Sequence, residues 1–300
     1  MINRLVCFST AAALLIILIP CSDAHGEEPE TTGSGEESKA TNEAPAPAVV
    51  TPVRNEKNDY NSRPLTPRAH GIAARLDLDV NLTKGLEAEP VNFSGAAYYG
   101  VNEALAVGAT TNVHGEIWGF GNAAVAGVPA NGLCLGGEER GCPKVFNNIA
   151  LDALLEFIRQ PGTDAALRTG VDLVSIVDPT ALAVHVGFLA RFTGGPLAVL
   201  VDPSVQIGIT KRDAGNKEAI FLPIRVGFQT TADLNVGLVT GLAAPFDNFS
   251  DRYTIPFGLS GLFSLGPRVD VGAVFAFPNA LGNGSSADVR TFGAVVHLRM

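Results

Sequence analysis

The chain has 300 residues, of which 46% are hydrophobic and 17% charged, with 33 Gly and a formal net charge of −9. Ordinary soluble domains carry about 25% Asp, Glu, Lys and Arg, so this surface holds less charge than water normally asks for. The 30 Asp and Glu against 21 Lys and Arg, with no clustered basic patch, argue against a nucleic-acid partner. Four Cys are too few for a disulfide-dense scaffold.

Residues 1–24 read as a signal peptide. Asn3 and Arg4 form a short polar, positive start, Leu5 to Ile19 is almost wholly apolar, and Ser22-Asp23-Ala24 offers a small-x-small cleavage site. A membrane anchor needs about 20 residues and this run has roughly 15. An uncleaved helix stays open as an alternative, as does lipidation at Cys21. Leu18-Ile19-Pro20-Cys21 resembles a bacterial lipobox, with Pro20 where that motif has a small residue.

Residues 25–68 form the next block, rich in Glu, Thr, Ser, Pro, Asn and Gly, with Ala44-Pro45-Ala46-Pro47-Ala48 and few large apolar side chains. Such a segment buries too little surface to offset its ordering entropy. The expectation is a disordered linker with eight acidic and five basic side chains.

From residue 69 to 300 the pattern is regular. No apolar run is long enough for a membrane helix, and period-two alternation recurs in about twelve segments, the signature of strands with two different faces. In Ile72 to Leu82 the apolar positions Ile72, Ala74, Leu76, Leu78, Val80 and Leu82 alternate with Arg75, Asp77, Asp79 and Asn81. Ile149, Leu151, Ala153, Leu155 and Phe157 alternate with Asn148, Ala150, Asp152 and Glu156 in the same way. A soluble sandwich also alternates, but its outer face is a solvent face. Here the second face is mostly Gly, Ala and Ser with scattered charges of both signs, as side chains pointing into a confined lumen require.

The connections between strands alternate in length. Short ones lie at residues 101–104, 160–163, 193–196, 230–233 and 265–267, and longer ones at 83–90, around 134–142, 211–217, 243–251 and 279–287; the link near Asp178-Pro179 is short where the rhythm asks for a long one. Tight periplasmic turns and longer outer loops produce this meander in a membrane barrel. The strands running into the five short turns carry Tyr99, Phe157, Phe192, Phe228 and Phe263 on the apolar face, the expected periplasmic aromatic girdle. Trp118 and Phe277 are the candidates for the opposite girdle.

The final strand, Ala287 to Met300, keeps alternation to the terminus through Phe292, Ala294, Val296, Leu298 and Met300, and the segment Tyr99 to Ala109 is an aromatic-Gly-turn-apolar-Gly hairpin. Both resemble Gram-negative outer-membrane β-barrel proteins, porin-like in pattern, although that family usually ends in an aromatic residue. The resemblance implies an all-β fold, a closed antiparallel up-and-down transmembrane barrel of about 12 strands. It also implies outer-membrane lipid around the barrel and recognition of the C-terminal strand by barrel-insertion machinery. Pro203, Pro223 and Pro256 fall inside three strands and demand bulges or gaps in the ladder. If two of those strands were loops, the count would fall to ten.

Parity places Arg75, Asp77, Asp79, Asp152, Glu156, Arg168, Asp172, His185, Arg191, Asp202, Gln206, Arg225, Gln229, Asn235, Asp270, His297 and Arg299 on the lumen face. They are read as cross-strand pairs, as the lining of a polar path, or as both. Cys134 and Cys142 remain after cleavage at Ala24; in an oxidising compartment they read as a loop disulfide, and no His nearby completes a metal set. Gly119-Phe120-Gly121-Asn122-Ala123-Ala124 matches a loose dinucleotide fingerprint but lacks its strand, helix and acid, so no cofactor is expected. Outer-membrane lipases of comparable strand number carry their catalytic groups on the lipid-facing surface. His185 and His297 point inward by parity, and no Ser–His pair sits on the apolar face, so no catalytic residue is assigned.

The function expected is a narrow channel or binder for small solutes through the polar lumen. The rival is a structural or adhesive surface protein acting through its outer loops, and the third reading is a membrane-embedded hydrolase.

Overall fold

The structure, a computed structural model, describes residues 59–83, 90–111, 132–136, 142, 145–176, 180–282, 285 and 287–300. The expected signal peptide, Cys21, Trp118 and the Gly119–Ala124 stretch lie outside these residues, as does most of the expected linker.

The alternating segments form β1 (Ile72–Asn81), β2 (Val91–Gly100), β3 (Leu105–Thr110), β4 (Gly132–Leu135), β5 (Phe146–Asn147), β6 (Ile149–Gln160), β7 (Thr163–Ser175) and β8 (Ala181–Gly194). They continue as β9 (Leu197–Val201), β10 (Ser204–Gly208), β11 (Ala219–Gln229), β12 (Leu234–Pro245), β13 (Thr254–Ser264), β14 (Val269–Gly282) and β15 (Thr291–Arg299). A 3-10 turn at Tyr60–Ser62 precedes them, and a one-turn helix, Phe249–Arg252, lies between β12 and β13. Every pairing is antiparallel, and β1 pairs with both β2 and β15, which closes the sheet on itself.

Several of these segments share one barrel position. β8 pairs with β9 and β10 without a shift, Ala190 facing Val201 and Gly187 facing Ser204, and β11 does the same through Ile224 and Phe221. β9 and β10 are therefore one strand, interrupted only in its hydrogen bonds at Asp202-Pro203. Pro203 accepts from the Phe188 N–H at 3.0 Å, and Asp202 N–H donates to the Pro223 carbonyl at 3.1 Å. Each proline forfeits one bond of a cross-strand pair and keeps the other, which is how both persist inside a wall. Pro256 sits where the β13–β14 register shifts, between Ile255 and Phe257. In the same way β3 pairs with the Ala96–Gly100 part of β2 and β4 with its Val91–Phe93 part, while β5 leads into β6 across Asn148, whose φ is +58°. The result is a closed barrel of twelve strands, the upper end of the expected range.

The two faces differ as the parity predicts. Outward positions such as Leu151, at 66% exposure, and Leu259, at 60%, leave large apolar side chains uncovered, while the inward Ala106, Ala150, Ala183, Asp172 and Asp270 are fully buried. Small and polar residues suit a curved wall whose concave side leaves little room. The five short turns and the junction of Ile72 with Met300 lie at one end, where Ile72 N–H donates to the Met300 carbonyl at 2.8 Å and His70 N–H to Gly100 at 2.7 Å. No helix among the described residues is long and apolar enough to cross a membrane.

Residues 59–68, placed in the linker by composition, are packed against the barrel. The segment begins with the turn at Tyr60–Ser62, where the Asp59 carboxylate accepts from Asn61 N–H at 2.9 Å, and runs over the short-turn end into β1.

Candidate functional site

Thirteen of the seventeen residues expected on the lumen face are buried: Asp77, Asp79, Asp152, Glu156, Arg168, Asp172, His185, Arg191, Asp202, Gln206, Arg225, Asn235 and Asp270. Arg75, Gln229, His297 and Arg299 are half-buried. Buried charges need partners, and register supplies them.

One group is built on β6, β7 and β8. Asp152 faces Gly170, and Gly170 faces His185, so an acid and an imidazole flank a residue with no side chain. A Cβ at Gly170 would lie 2.6 Å from His185 Cε1 and 2.8 Å from Asp152 Oδ1. Glycine is what lets the two reach one another across the intervening strand. Asp152 Oδ2 accepts from Arg168 Nε at 2.9 Å, from Arg168 Nη2 at 2.7 Å and from the Tyr98 hydroxyl at 3.0 Å. Arg168 Nη1 extends the group to Asp202 at 3.3 Å, and His185 Nδ1 is 2.7 Å from Asp172 Oδ1.

A second group occupies the short-turn end. Arg225 donates to Asn235 and Ser260, and Gly227 and Gly237 leave the space its guanidinium fills. Arg191 pairs with Asp164, Arg299 reaches Asp270 at 2.5 Å, and Arg159 holds Glu156 at 2.6 Å.

The N-terminal segment completes this second group. Arg63 forms a buried ion pair with Asp270 and donates to Ser264 at 3.0 Å. Asn61 donates to the Pro196 carbonyl at 2.8 Å and accepts from Asn235 at 3.0 Å, and Thr66 donates to Glu156 at 2.6 Å. The Tyr60 ring packs on the inward Val239, Leu262, Val274 and Val295 and lies 5.1 Å from the Arg225 guanidinium carbon. Asp270 and Glu156 stand on β14 and β6, five positions apart around the twelve-strand barrel by the shorter way, so Arg63 and Thr66 bridge the mouth from one side to the other. At the segment's end, Gly100 approaches Arg68 so closely that a Cβ would lie 1.9 Å from the Arg68 carbonyl oxygen.

Parity identified the lumen face but missed six contributors. Tyr98 is buried and out of phase with the exposed Tyr99, a legible signal. Asp164 is legible only once its facing residue is known to be Arg191. Tyr60, Asn61, Arg63 and Thr66 carry no periodic signal at all. The girdle candidates Tyr99, Phe157, Phe192, Phe228 and Phe263 are all exposed beside the short turns. Phe277 is half-buried, edge-on to Phe275 at 5.2 Å between ring centroids. Cys134 and Cys142 form a disulfide with Cα atoms 5.6 Å apart.

In three dimensions the chain aligns with a NanC porin structure at a TM-score of 0.52 and 5% sequence identity, over 76% of this chain and 100% of that one. The fold is that of a porin barrel. A KdgM porin aligns at 0.47 and 6% identity over 75% and 98%, and an outer-membrane channel from Pseudomonas putida F1 at 0.46 and 9% over 81% and 98%. No family model and no curated protein matches the sequence.

Proposed function

We propose that this porin-type barrel is an outer-membrane channel or binder for a small solute, closed at its periplasmic mouth by its own N-terminal segment. The observation that carries the reading is a closed barrel with an apolar outside, a charged inside and an ordered strap, held by Arg63 and Thr66, across one end. An uncovered belt of Leu, Phe and Val is unfavourable in water and suited to hydrocarbon. Closure supports the same placement, since lipid tolerates no free sheet edge. The aromatic residues beside the short turns mark the periplasmic boundary, and the C-terminal strand is the element that insertion machinery would recognise.

Charges of both signs line the interior, and many pair with one another, so the path is narrow and weakly ion-selective. Twelve strands lie between filled eight-stranded barrels and open sixteen-stranded porins, and the likeness to a porin in fold favours passage over adhesion.

The test is conductance in planar bilayers together with sugar uptake by liposomes. The protein as it stands should conduct weakly, and removal of residues 59–68 behind an intact signal should raise conductance and sugar entry. If neither protein conducts or admits sugar, the channel reading fails.

A further inference from the structure

The group on β6, β7 and β8 holds atoms whose needs the protein does not meet. Asp152 Oδ1, Asp172 Oδ2 and His185 Nε2 are buried and have no hydrogen-bond partner. His185 Nδ1 is engaged by Asp172 at 2.7 Å, which turns Nε2 toward Asp152 Oδ1, 3.5 Å away and outside hydrogen-bond contact. In the tautomer with the proton on Nδ1, the Nε2 and Asp152 Oδ1 lone pairs face each other in a site whose side chains are almost wholly buried. The other Asp152 oxygen is already saturated by Arg168 and Tyr98. Gly170 keeps the space beside Asp152 Oδ1 and the imidazole free of a side chain.

We infer that His185 Nε2 and Asp152 Oδ1 are ligands of a divalent first-row transition ion in the lumen wall, with Asp172 orienting the imidazole. The separation suits it: ligands about 2.1 Å from a tetrahedral ion stand about 3.4 Å apart. A carboxylate on the far nitrogen of a ligating histidine fixes its tautomer and raises its basicity, the recurrent arrangement behind such ligands. Asp152, Asp172 and His185 each bring a ligand-type atom within 4.8 Å of the others; with Asp172 engaged on Nδ1, on the far side of the ring, water would fill the ion's further positions. Imidazole with carboxylate favours zinc and its neighbours over calcium or magnesium.

The experiment uses the detergent-extracted protein, stripped with chelator and titrated with zinc chloride by calorimetry, with cobalt absorption as a second readout. Folding of every variant is checked by heat-dependent gel migration. The expected result is one zinc per chain with a tetrahedral-type cobalt spectrum. His185→Gln should lose that site, and Asp172→Asn should weaken it about 10- to 100-fold. If the unaltered protein takes up no stoichiometric zinc, the inference falls. It falls equally if the folded His185→Gln or Asp172→Asn protein binds zinc as tightly as the original. The outcome is independent of conductance, so failure here leaves the channel reading untouched.

Discussion

Arg63→Ala tests the strap at its strongest point. Arg63 and Asp270 have side chains 9% and 0% exposed, and deleting one partner of a buried ion pair costs about 3 to 5 kcal/mol because the other charge is stranded. Asp270 is not wholly stranded here, since Arg299 still donates to it at 2.5 Å. The expected loss is therefore smaller, about 2 to 3 kcal/mol, or roughly a 30- to 150-fold shift from seated toward released strap. The contacts of Arg63 with Ser264 and of Thr66 with Glu156 are separate, so Thr66→Val should add a further loss of about 1.5 to 3 kcal/mol, the worth of a hydrogen bond to a charged group. Two measurements read the shift: open probability of single channels in planar bilayers, and the rate at which an added protease cuts within residues 59–68. Both should rise in Arg63→Ala and return most of the way in Arg63→Lys, which restores the charge but not the fork. If both rates stay within threefold of the unaltered protein, the ion pair does not hold the strap.

Leu259 is exposed on β13, four residues from Phe263 and two from Phe257, which puts it near the middle of the apolar belt. Leu259→Arg should cost about 2 to 4 kcal/mol in a lipid-refolding titration, whereas Phe263→Arg at the boundary should cost about 0 to 1; equal costs would contradict a lipid-facing belt. Replacing both Cys134 and Cys142 by Ser should lower stability by at most about 2 to 3 kcal/mol, the worth of closing so short a loop, and leave the barrel's gel migration unchanged. A larger loss, or loss of the folded band, would mean the bridge supports the wall itself. At the outer end, Glu218 is held below the usual carboxylate range by hydrogen bonds from Arg212, and Asp247 by one from Lys217. Since folding depresses both, these ties are fully present above the ordinary carboxylate pKa and vanish as pH falls through the folded values. Amide exchange in residues 209–218 should therefore quicken at pH 3 relative to pH 7 after correction for intrinsic rates, and unchanged protection would refute the assignment.

The wall was legible in the sequence because lipid and lumen impose opposite demands on successive residues. Leu151, Leu155 and Phe157 against Asp152 and Glu156 state that demand in five letters, and even the prolines were placed correctly inside strands. Their tolerance was not legible, because it depends on what lies beside them: Pro203 and Pro223 each lose one bond of a cross-strand pair, and only register shows that the other survives. The site was half legible for the same reason. Period two assigns Asp152 and His185 to the lumen, but that they meet over Gly170 follows from the pairing of β6, β7 and β8, which no single strand encodes.

The strap escaped for a different reason. Composition separates segments that can bury apolar surface from those that cannot, and Tyr60 to Arg68 fails that criterion. What orders it is the barrel's own unmet polarity: Asp270, Glu156 and Asn235 sit in an interior too small to hydrate them fully, and Arg63, Thr66 and Asn61 bring the missing donors and acceptors. A polar segment beside a polar cavity is thus complementary to it, as an apolar helix is to an apolar groove. The charge that looked scarce in the whole chain is concentrated where it can be answered, and the stretch that looked most soluble supplies part of the answer.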